Sequence, residues 1–269
     1  MNSAIREKFD SKKICVVVPT YNNDTTVKHV VTDLLDYTSN IIVVNDGSTD
    51  ETDLILKSIS GITVVGYQTN QGKGFALRTG FKKAVALGYD YAITIDSDGQ
   101  HYANDLLKFV EAVDQHPNAI VIGSRNLNQA NVPGKSSFGN KFSSFWFWVN
   151  TGIRRKDTQS GYRLYPVKAL EEIDFVTKKY EFEIEVLVRA SWRGIDIVEI
   201  PINVFYPEKE KRISHFRPFK DFSRISVLNT VLVTIALLYI KPRDLFRSIK
   251  KKISDRSCAR LFPVRMKPI

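Results

Sequence analysis

Asp96 and Asp98 stand one residue apart, with Gln100 one step further, directly after the apolar run YAITI at residues 91–95. Oxygen donors so spaced at a strand end suit a hard divalent cation, Mg²⁺ or Mn²⁺. A cation there can neutralise a diphosphate and stabilise it as a leaving group. The same residues also make ordinary Asp-Gly turn chemistry, so the pattern needs company. Asp46 in VVNDGSTD ends another apolar run and offers a carboxylate to a nucleobase or ribose edge. Lys73 lies between Gly72 and Gly74 in NQGKGFALRTG, at a helix start where backbone amides and an ammonium suit a phosphate. The spacing matches neither a Walker loop nor a dinucleotide fingerprint.

The elements that must position these groups follow from periodicity. Residues 14–18 (ICVVV), 41–44, 62–65, 91–95 and 119–122 read as short, buried, β-branched strands. Helical spacing separates them at 24–37, at a helix capped by Thr49 or Asp50 and running to Ile59, at 74–87 and at 104–113. Strands alternating with helices imply an α/β fold with a mostly parallel sheet flanked by helices. Ligands in such sheets gather at the carboxyl ends of strands. Residues 19–21, Asp46, the 96–98 segment and Ser124-Arg125 all fall there. After Gly134 the alternation degrades into helices and short strands.

Taken in order, VVVPTYNN, VVNDGSTD, NQGKGFALRTG, DSDGQH, GSR, DTQSGYR and FEFEIE resemble the family 2 glycosyltransferases of GT-A fold. Within that family the set is most similar to the dolichyl- and polyprenyl-phosphate sugar synthases. The resemblance covers residue 14 to about residue 215. It implies a Rossmann-like GT-A domain, nucleotide-sugar contacts from Pro19, Tyr21, Asp46, Lys73 and Asp96, and metal ligation by Asp96, Asp98 and Gln100. It further implies that Lys156, Ser160 and Arg163, with Lys141, bind an acceptor phosphate. Arg212 or His215 in KRISHF would reach the diphosphate. Three departures stand out: Asn23 in place of an acidic residue after PTYN, Gly99 in place of a bulkier apolar residue, and HYAN in place of HxPE.

A phosphate acceptor is already an anionic nucleophile and needs no protein base, whereas a hydroxyl acceptor needs a carboxylate within reach. Asp157, Glu183 and Glu185 are the candidates for that base, although Glu185 also stands four residues before Arg189, a helix-surface pairing. The expected catalytic set is Asp98, Asp157 and Arg212. Aromatic residues crowd 138–148 (FGNKFSSFWFW), with Phe142, Phe145 and Trp146 on one helical face. Such a face serves either core packing or a lipid-guiding surface.

The net charge of +10 has an address: residues 241–269 hold ten Lys/Arg against two Asp/Glu, while the first 240 residues hold 29 against 27. Upstream of this tail, residues 225–240 (ISVLNTVLVTIALLYI) are apolar but short for a perpendicular span, and Ser226, Thr230 and Thr234 form a polar stripe. Leu245, Phe246, Ile249 and Ile253 then share a face among lysines and arginines, as in a helix lying in an anionic leaflet. A single span would send the basic tail away from a cytoplasmic body, against the positive-inside tendency. The expectation is therefore a catalytic domain over 1–222 and an attachment segment over 223–269 with membrane-associated helices, peripheral or monotopic on the cytoplasmic face. Two cysteines and no N-terminal apolar stretch point to a reducing compartment, with Cys15 a buried hydrophobe.

The expected activity is metal-dependent, inverting transfer of a hexose from a GDP- or UDP-sugar to a polyprenyl phosphate. Transfer to a hydroxyl of a glycolipid or glycan is the second reading, and a non-catalytic membrane-bound sugar-nucleotide binder a third. Nucleic acid is excluded as partner because only the tail is basic and no recognition fold accompanies it. Oligomeric state is open, with the stripe at 226–234 a possible helix contact.

Overall fold

Ile14-Cys15-Val16-Val17-Val18 form the buried body of strand β1 (Ile14–Thr20), which gives no face to water. A strand covered on both sides reads as an uninterrupted apolar run. In the structure, a computed structural model that describes residues 2–126, 134–205, 217–247 and 250, β1 lies within a seven-stranded sheet. The other strands are β2 (Ile41–Asn45), β3 (Thr63–Gly66), β4 (Tyr91–Thr94), β5 (Ala119–Arg125), β6 (Arg163–Pro166) and β7 (Asp196–Ile202). Their order is β3-β2-β1-β4-β6-β5-β7, parallel except for β6, which runs antiparallel between β4 and β5. The register sets Thr20 beside Asn45 and Val17 beside Thr94, so the loops after β1, β2 and β4 leave from one edge.

Helices cover both faces, as the alternation requires. α1 (Asn2–Ser11), α2 (Val27–Leu35), α3 (Thr52–Lys57) and α5 (Leu106–Gln115) surround one buried cluster that includes Phe9, Val31, Leu56 and Phe109. α4 (Lys73–Ala86), α7 (Val167–Leu170) and α8 (Phe182–Trp192) enclose the other, with Leu77, Phe81, Leu170 and Leu187. Cys15 is fully buried there, and burial pushes its thiol pKa up, which keeps it an inert packing group.

Helix α6 (Gly134–Thr151) reverses the usual pattern. Its inward residues are Asn140, Ser143, Phe147 and Asn150, three of them polar, while Phe145 and Trp148 are 51% and 38% exposed. The polar side faces in because the segment after α6 needs partners. Asn140 Nδ2 donates to the Lys156 carbonyl at 2.6 Å, and the Ser143 and Thr158 hydroxyls meet at 2.7 Å. Phe145 and Trp148 are left outside, while Phe147 packs inward.

α9 (Pro218–Ile235) continues through a π-helical turn at Ala236–Ile240 into residues 241–247. This helix runs unbroken across Lys241-Pro242, so the apolar stretch and the start of the segment expected to lie in a leaflet form one element. One face, with Ile225, Leu228, Leu232, Ala236 and Ile240, is buried against the body, so the expected boundary at residue 222 falls inside an element that belongs to the core. The other face carries Phe219, Val227, Val231, Leu237, Leu238 and Tyr239, all exposed. Thr230 and Thr234 lie exposed on it and return their hydroxyls to the carbonyls of Ser226 and Thr230. Phe219–Arg247 is long and apolar enough, by length and composition, to cross a membrane. Of the amphipathic segment expected at 241–253, residues 248–249 and 251–253 lie outside the described part, as does Cys258.

Candidate active site

Three loops at the carboxyl edge are tied to one another before any ligand arrives. Asn22, at φ 44°, accepts the Thr49 N–H at 2.8 Å, and its own N–H donates to Ser48 Oγ at 3.0 Å. Asn23 is buried; its amide donates to the Ser97 carbonyl at 2.6 Å and its oxygen accepts the Thr26 hydroxyl at 2.7 Å. The residue that departs from the family pattern is thus a brace between the β1 and β4 loops. Asp46 braces the third: its carboxylate accepts the N–H groups of Gln71 (2.8 Å) and Gly72 (2.9 Å) and the Asn70 amide (3.0 Å).

These loops line a cavity of about 250 Å³ that contains Pro19, Tyr21, Asp46, Lys73, Asp96 and Asp98. The structure therefore brings the five expected nucleotide-sugar residues into one place. Gly72 makes the turn at φ +105°, and a Cβ there would stand 2.7 Å from Lys179 Cγ. That close approach seats the segment before α8 on the Lys73 turn, so Lys179 and Tyr180 also line the cavity. Its remaining wall is Arg217, Lys220, Asp221 and Arg224 at the start of α9. None of these six was expected from the sequence. The spacing of Arg217, Lys220 and Arg224, three and then four residues apart, carries the signal of one cationic helix face.

Asp96 and Asp98 fit a divalent cation. Burial and the neighbouring Asp96 carboxylate push the Asp98 pKa up to about 6, the mark of two carboxylates that a cation would reconcile. Among the described residues no group of three or more His, Cys, Asp or Glu stands at metal-binding range, so neutral oxygens would complete the shell. Gln100 does not line the cavity, but its N–H donates to Asp98 Oδ1 at 3.0 Å. Lys73 Nζ stands 2.8 Å from Asp96 and 3.1 Å from Glu183.

A second cavity, of about 800 Å³, is lined by Arg125, Asn140, Lys141, Lys156 and Glu199 among others. Lys141 and Lys156 are exposed and both line it, joined by Arg125, which the sequence placed at a strand end without a role. Asp157, fully buried, holds Arg125 in a two-point contact at 2.6 and 2.9 Å, and burial's upward push on its pKa is overcome by that guanidinium. The 157–161 turn joins the two cavities: Asp157 orients Arg125, and Gly161 backs the Asp96–Lys73 pair so closely that a Cβ would be 2.5 Å from Asp96 Oδ2.

Three expectations are corrected here. Arg163 is wholly buried because it begins β6, an interior strand of the sheet, and does not face an acceptor. Its guanidinium donates to the carbonyls of Ser160 (2.6 Å), Glu183 (2.8 Å) and Thr158 (2.9 Å) and to the Tyr165 hydroxyl (3.2 Å). Ser160 is buried in the same turn, with its Oγ accepting the Tyr162 N–H at 3.4 Å. Asp157 is spent on Arg125 and the turn, so it is no free base. Arg212 and His215 lie outside the described residues. Arg163→Met should cost about 3–5 kcal/mol in denaturant unfolding, since several buried acceptors lose their donor. A loss under about 1 kcal/mol with a raised acceptor KM would restore the acceptor-binding role.

The model of the glycosyl transferase family 2 domain matches residues 15–174, the stretch from β1 through β6 and α7. The chain belongs to this family. It is a glycosyltransferase. The UDP-N-acetylglucosamine–dolichyl-phosphate N-acetylglucosaminyltransferase of Methanococcus voltae is 33% identical over 219 residues, spanning 73% of this chain and 87% of that protein. The polyprenol monophosphomannose synthase of Mycolicibacterium smegmatis is 29% identical over 217 residues, 76% of this chain and 81% of the other. Glucosyl-3-phosphoglycerate synthase from Mycobacterium tuberculosis, solved with Mn²⁺, UDP and phosphoglyceric acid, shares the GT-A fold at TM-score 0.64 and 20% identity, over 89% of this chain and 82% of that one. The residues that the resemblance assigns to a nucleotide sugar thus line the first cavity, and the second cavity is cationic.

Proposed function

We propose that this family 2 glycosyltransferase moves a hexose from a nucleoside-diphosphate sugar to a polyprenyl phosphate at the cytoplasmic face of a membrane. The observation that carries the choice of acceptor is the second cavity: it gathers Arg125, Lys141 and Lys156, a setting for a phosphate. The three expected bases are engaged elsewhere. Asp157 holds Arg125, Glu185 is buried and bound to Arg189 and Thr177, and Glu183 pairs with Lys73. The names of the two relatives, with dolichyl phosphate and polyprenol in them, support the same acceptor class. UDP in one relative's name and in the structural neighbour supports a uridine nucleotide.

The acceptor phosphate oxygen attacks the anomeric carbon as the bond from that carbon to the diphosphate breaks. One displacement inverts the centre, and no protein group needs to remove a proton. Asp96 and Asp98 would hold Mg²⁺ or Mn²⁺, which when bound offsets charge building on the leaving diphosphate. Arg217, Lys220 and Arg224 add positive charge to the same cavity wall. Alignment of two bound phosphate species and this preorganised charge together account for the catalysis.

The hydroxyl-acceptor reading retains one carboxylate in the second cavity, Glu199, whose Oε1 accepts the N–H groups of Lys156 and Asp157, each at 2.8 Å. Lys141→Ala with Lys156→Ala should raise the KM for a short polyprenyl phosphate about tenfold or more while the donor KM holds. Glu199→Gln should leave kcat within about threefold. A loss of about 100-fold with Glu199→Gln, and an unchanged KM in the double lysine variant, would make Glu199 the base for a hydroxyl acceptor.

Attachment rests on the outward faces of α6 and α9. Phe142 of α6 and Phe222 of α9 meet at a tilt, with ring centroids 4.9 Å apart, and Phe145 and Trp146 continue the patch. Arg154 lies 5.0 Å above the Trp148 ring, a cation held at an aromatic edge as at a headgroup boundary. The basic segment from Lys241 onward follows the same helix, which supports an anionic surface as the partner.

A further inference from the structure

Lys73 is shared by two carboxylates that reach it from different elements. Asp96, at the end of β4, holds the ammonium at 2.8 and 3.0 Å through its two oxygens, and Glu183, in the first turn of α8, holds it at 3.1 Å. The cluster is closely enclosed, with side-chain exposures of 17%, 25% and 12% for Lys73, Asp96 and Glu183. Gly161 is packed against the pair on one side, and Gly74 is packed against Phe182 on the other, where a Cβ would stand 2.4 Å from Phe182 Cβ. One ammonium thus stands between two carboxylates in this enclosure.

Asp96 has two claimants. It is one of the two carboxylates that fit a divalent cation, and its oxygens already face an ammonium. Two cations on the same carboxylate in a partly buried site repel each other. We propose that Lys73 is an internal counter-cation occupying the metal's place beside Asp96, and that Glu183 is the positioning residue that receives Lys73 when metal and donor arrive. This rests on the reading of Asp96 and Asp98 as a cation site.

The ammonium then plays two parts in sequence. Without ligand it neutralises Asp96 and keeps the site from holding metal tightly. With a nucleotide diphosphate present, the phosphates and Glu183 offer Lys73 other partners and Asp96 is released. Metal and donor therefore bind with positive coupling beyond their own contact with each other. Glu183 has no place in such a scheme as a surface residue or as a base.

The test is Mn²⁺ binding to the purified full chain, read by electron paramagnetic resonance of the free ion, with and without UDP and with no acceptor or turnover. Lys73→Met should bind Mn²⁺ alone about tenfold tighter than wild type, and bind UDP more weakly. Glu183→Gln leaves Lys73 to Asp96 and should weaken Mn²⁺ binding several-fold, with Glu183→Asp restoring part of it. A merely structural lysine would lower the Tm and leave Mn²⁺ affinity equal or lower. Equal or weaker Mn²⁺ binding in a folded Lys73→Met overturns the inference, as does an unchanged affinity in Glu183→Gln should the lysine variant not fold. If wild type binds no Mn²⁺ even with UDP, the cation-site reading itself fails.

Discussion

Asp98→Asn should abolish turnover and at the same time stabilise the metal-free protein. Its carboxylate is held beside Asp96 with a pKa raised from 3.8 to about 6, by burial first and by the Asp96 charge second. Below pH 3.8 the group is neutral in both folded and unfolded chains and contributes no difference. Between pH 3.8 and about 6 the unfolded chain releases its proton while the folded one retains it, so stability falls as pH rises through this window. At pH 7 the full penalty is present, and asparagine removes it. The expected result is a Tm higher by about 2–4 °C at pH 7, with the gap closing as pH approaches 4. Turnover should fall at least about 10³-fold, roughly 4 kcal/mol of lost transition-state stabilisation. Calorimetry on the metal-free protein and a product assay with Mn²⁺ check the two halves. A lower Tm together with unchanged turnover would show that Asp98 is a structural turn residue and not a ligand.

The second large effect is expected at the outward faces of α6 and α9. Phe145, Trp148, Phe219 and Leu238 are 51%, 38%, 92% and 77% exposed, and none of them is needed by the core. Replacing all four with serine should leave folding intact and reduce sedimentation with anionic vesicles about 10³-fold, at about 1 kcal/mol apiece for partial immersion. The assay belongs at high salt, where attraction between the basic tail and the vesicles is screened. Turnover of a short, water-soluble prenyl phosphate should persist. Removal of 223–269 is a poorer experiment, because Leu228 and Leu232 are part of the body's core. Undiminished sedimentation of the fourfold variant at high salt would show that these outward faces do not carry attachment.

The parallel half of the fold and the lining of the first cavity were legible because their causes are local. Residues 14–18 and 41–44 are continuous apolar runs because the strands they form are covered on both faces, and the chemistry-bearing residues follow at their ends. β6 was illegible for the opposite reason. RLYP is four residues long, and its buried arginine is tolerated only because the 157–161 turn (Thr158 and Ser160) and Glu183 of α8 supply carbonyls. No periodicity reports such a cage. The orientation of α6 was ambiguous in the sequence, since its aromatic and polar stripes have the same period. The Asp157–Thr158 segment decides it by drawing Asn140 and Ser143 inward. Asp46 was read as a free carboxylate facing a nucleotide, yet most of its hydrogen-bonding capacity is taken by the 70–72 turn, a contact 24 to 26 residues away in sequence.

The central claim, transfer to a lipid phosphate, is tested most directly by the bond in the product. The full chain would be incubated with Mn²⁺, a panel of UDP- and GDP-hexoses and a short polyprenyl phosphate, with a hydroxylated glycolipid in a parallel reaction. Proton–phosphorus correlation spectroscopy of the lipid product then reads which atom carries the sugar. The account predicts an anomeric proton coupled to the single lipid phosphate, with configuration opposite to that of the donor, and no product without the divalent cation. A sugar joined only to the glycolipid hydroxyl, with none on the phosphate, would contradict it.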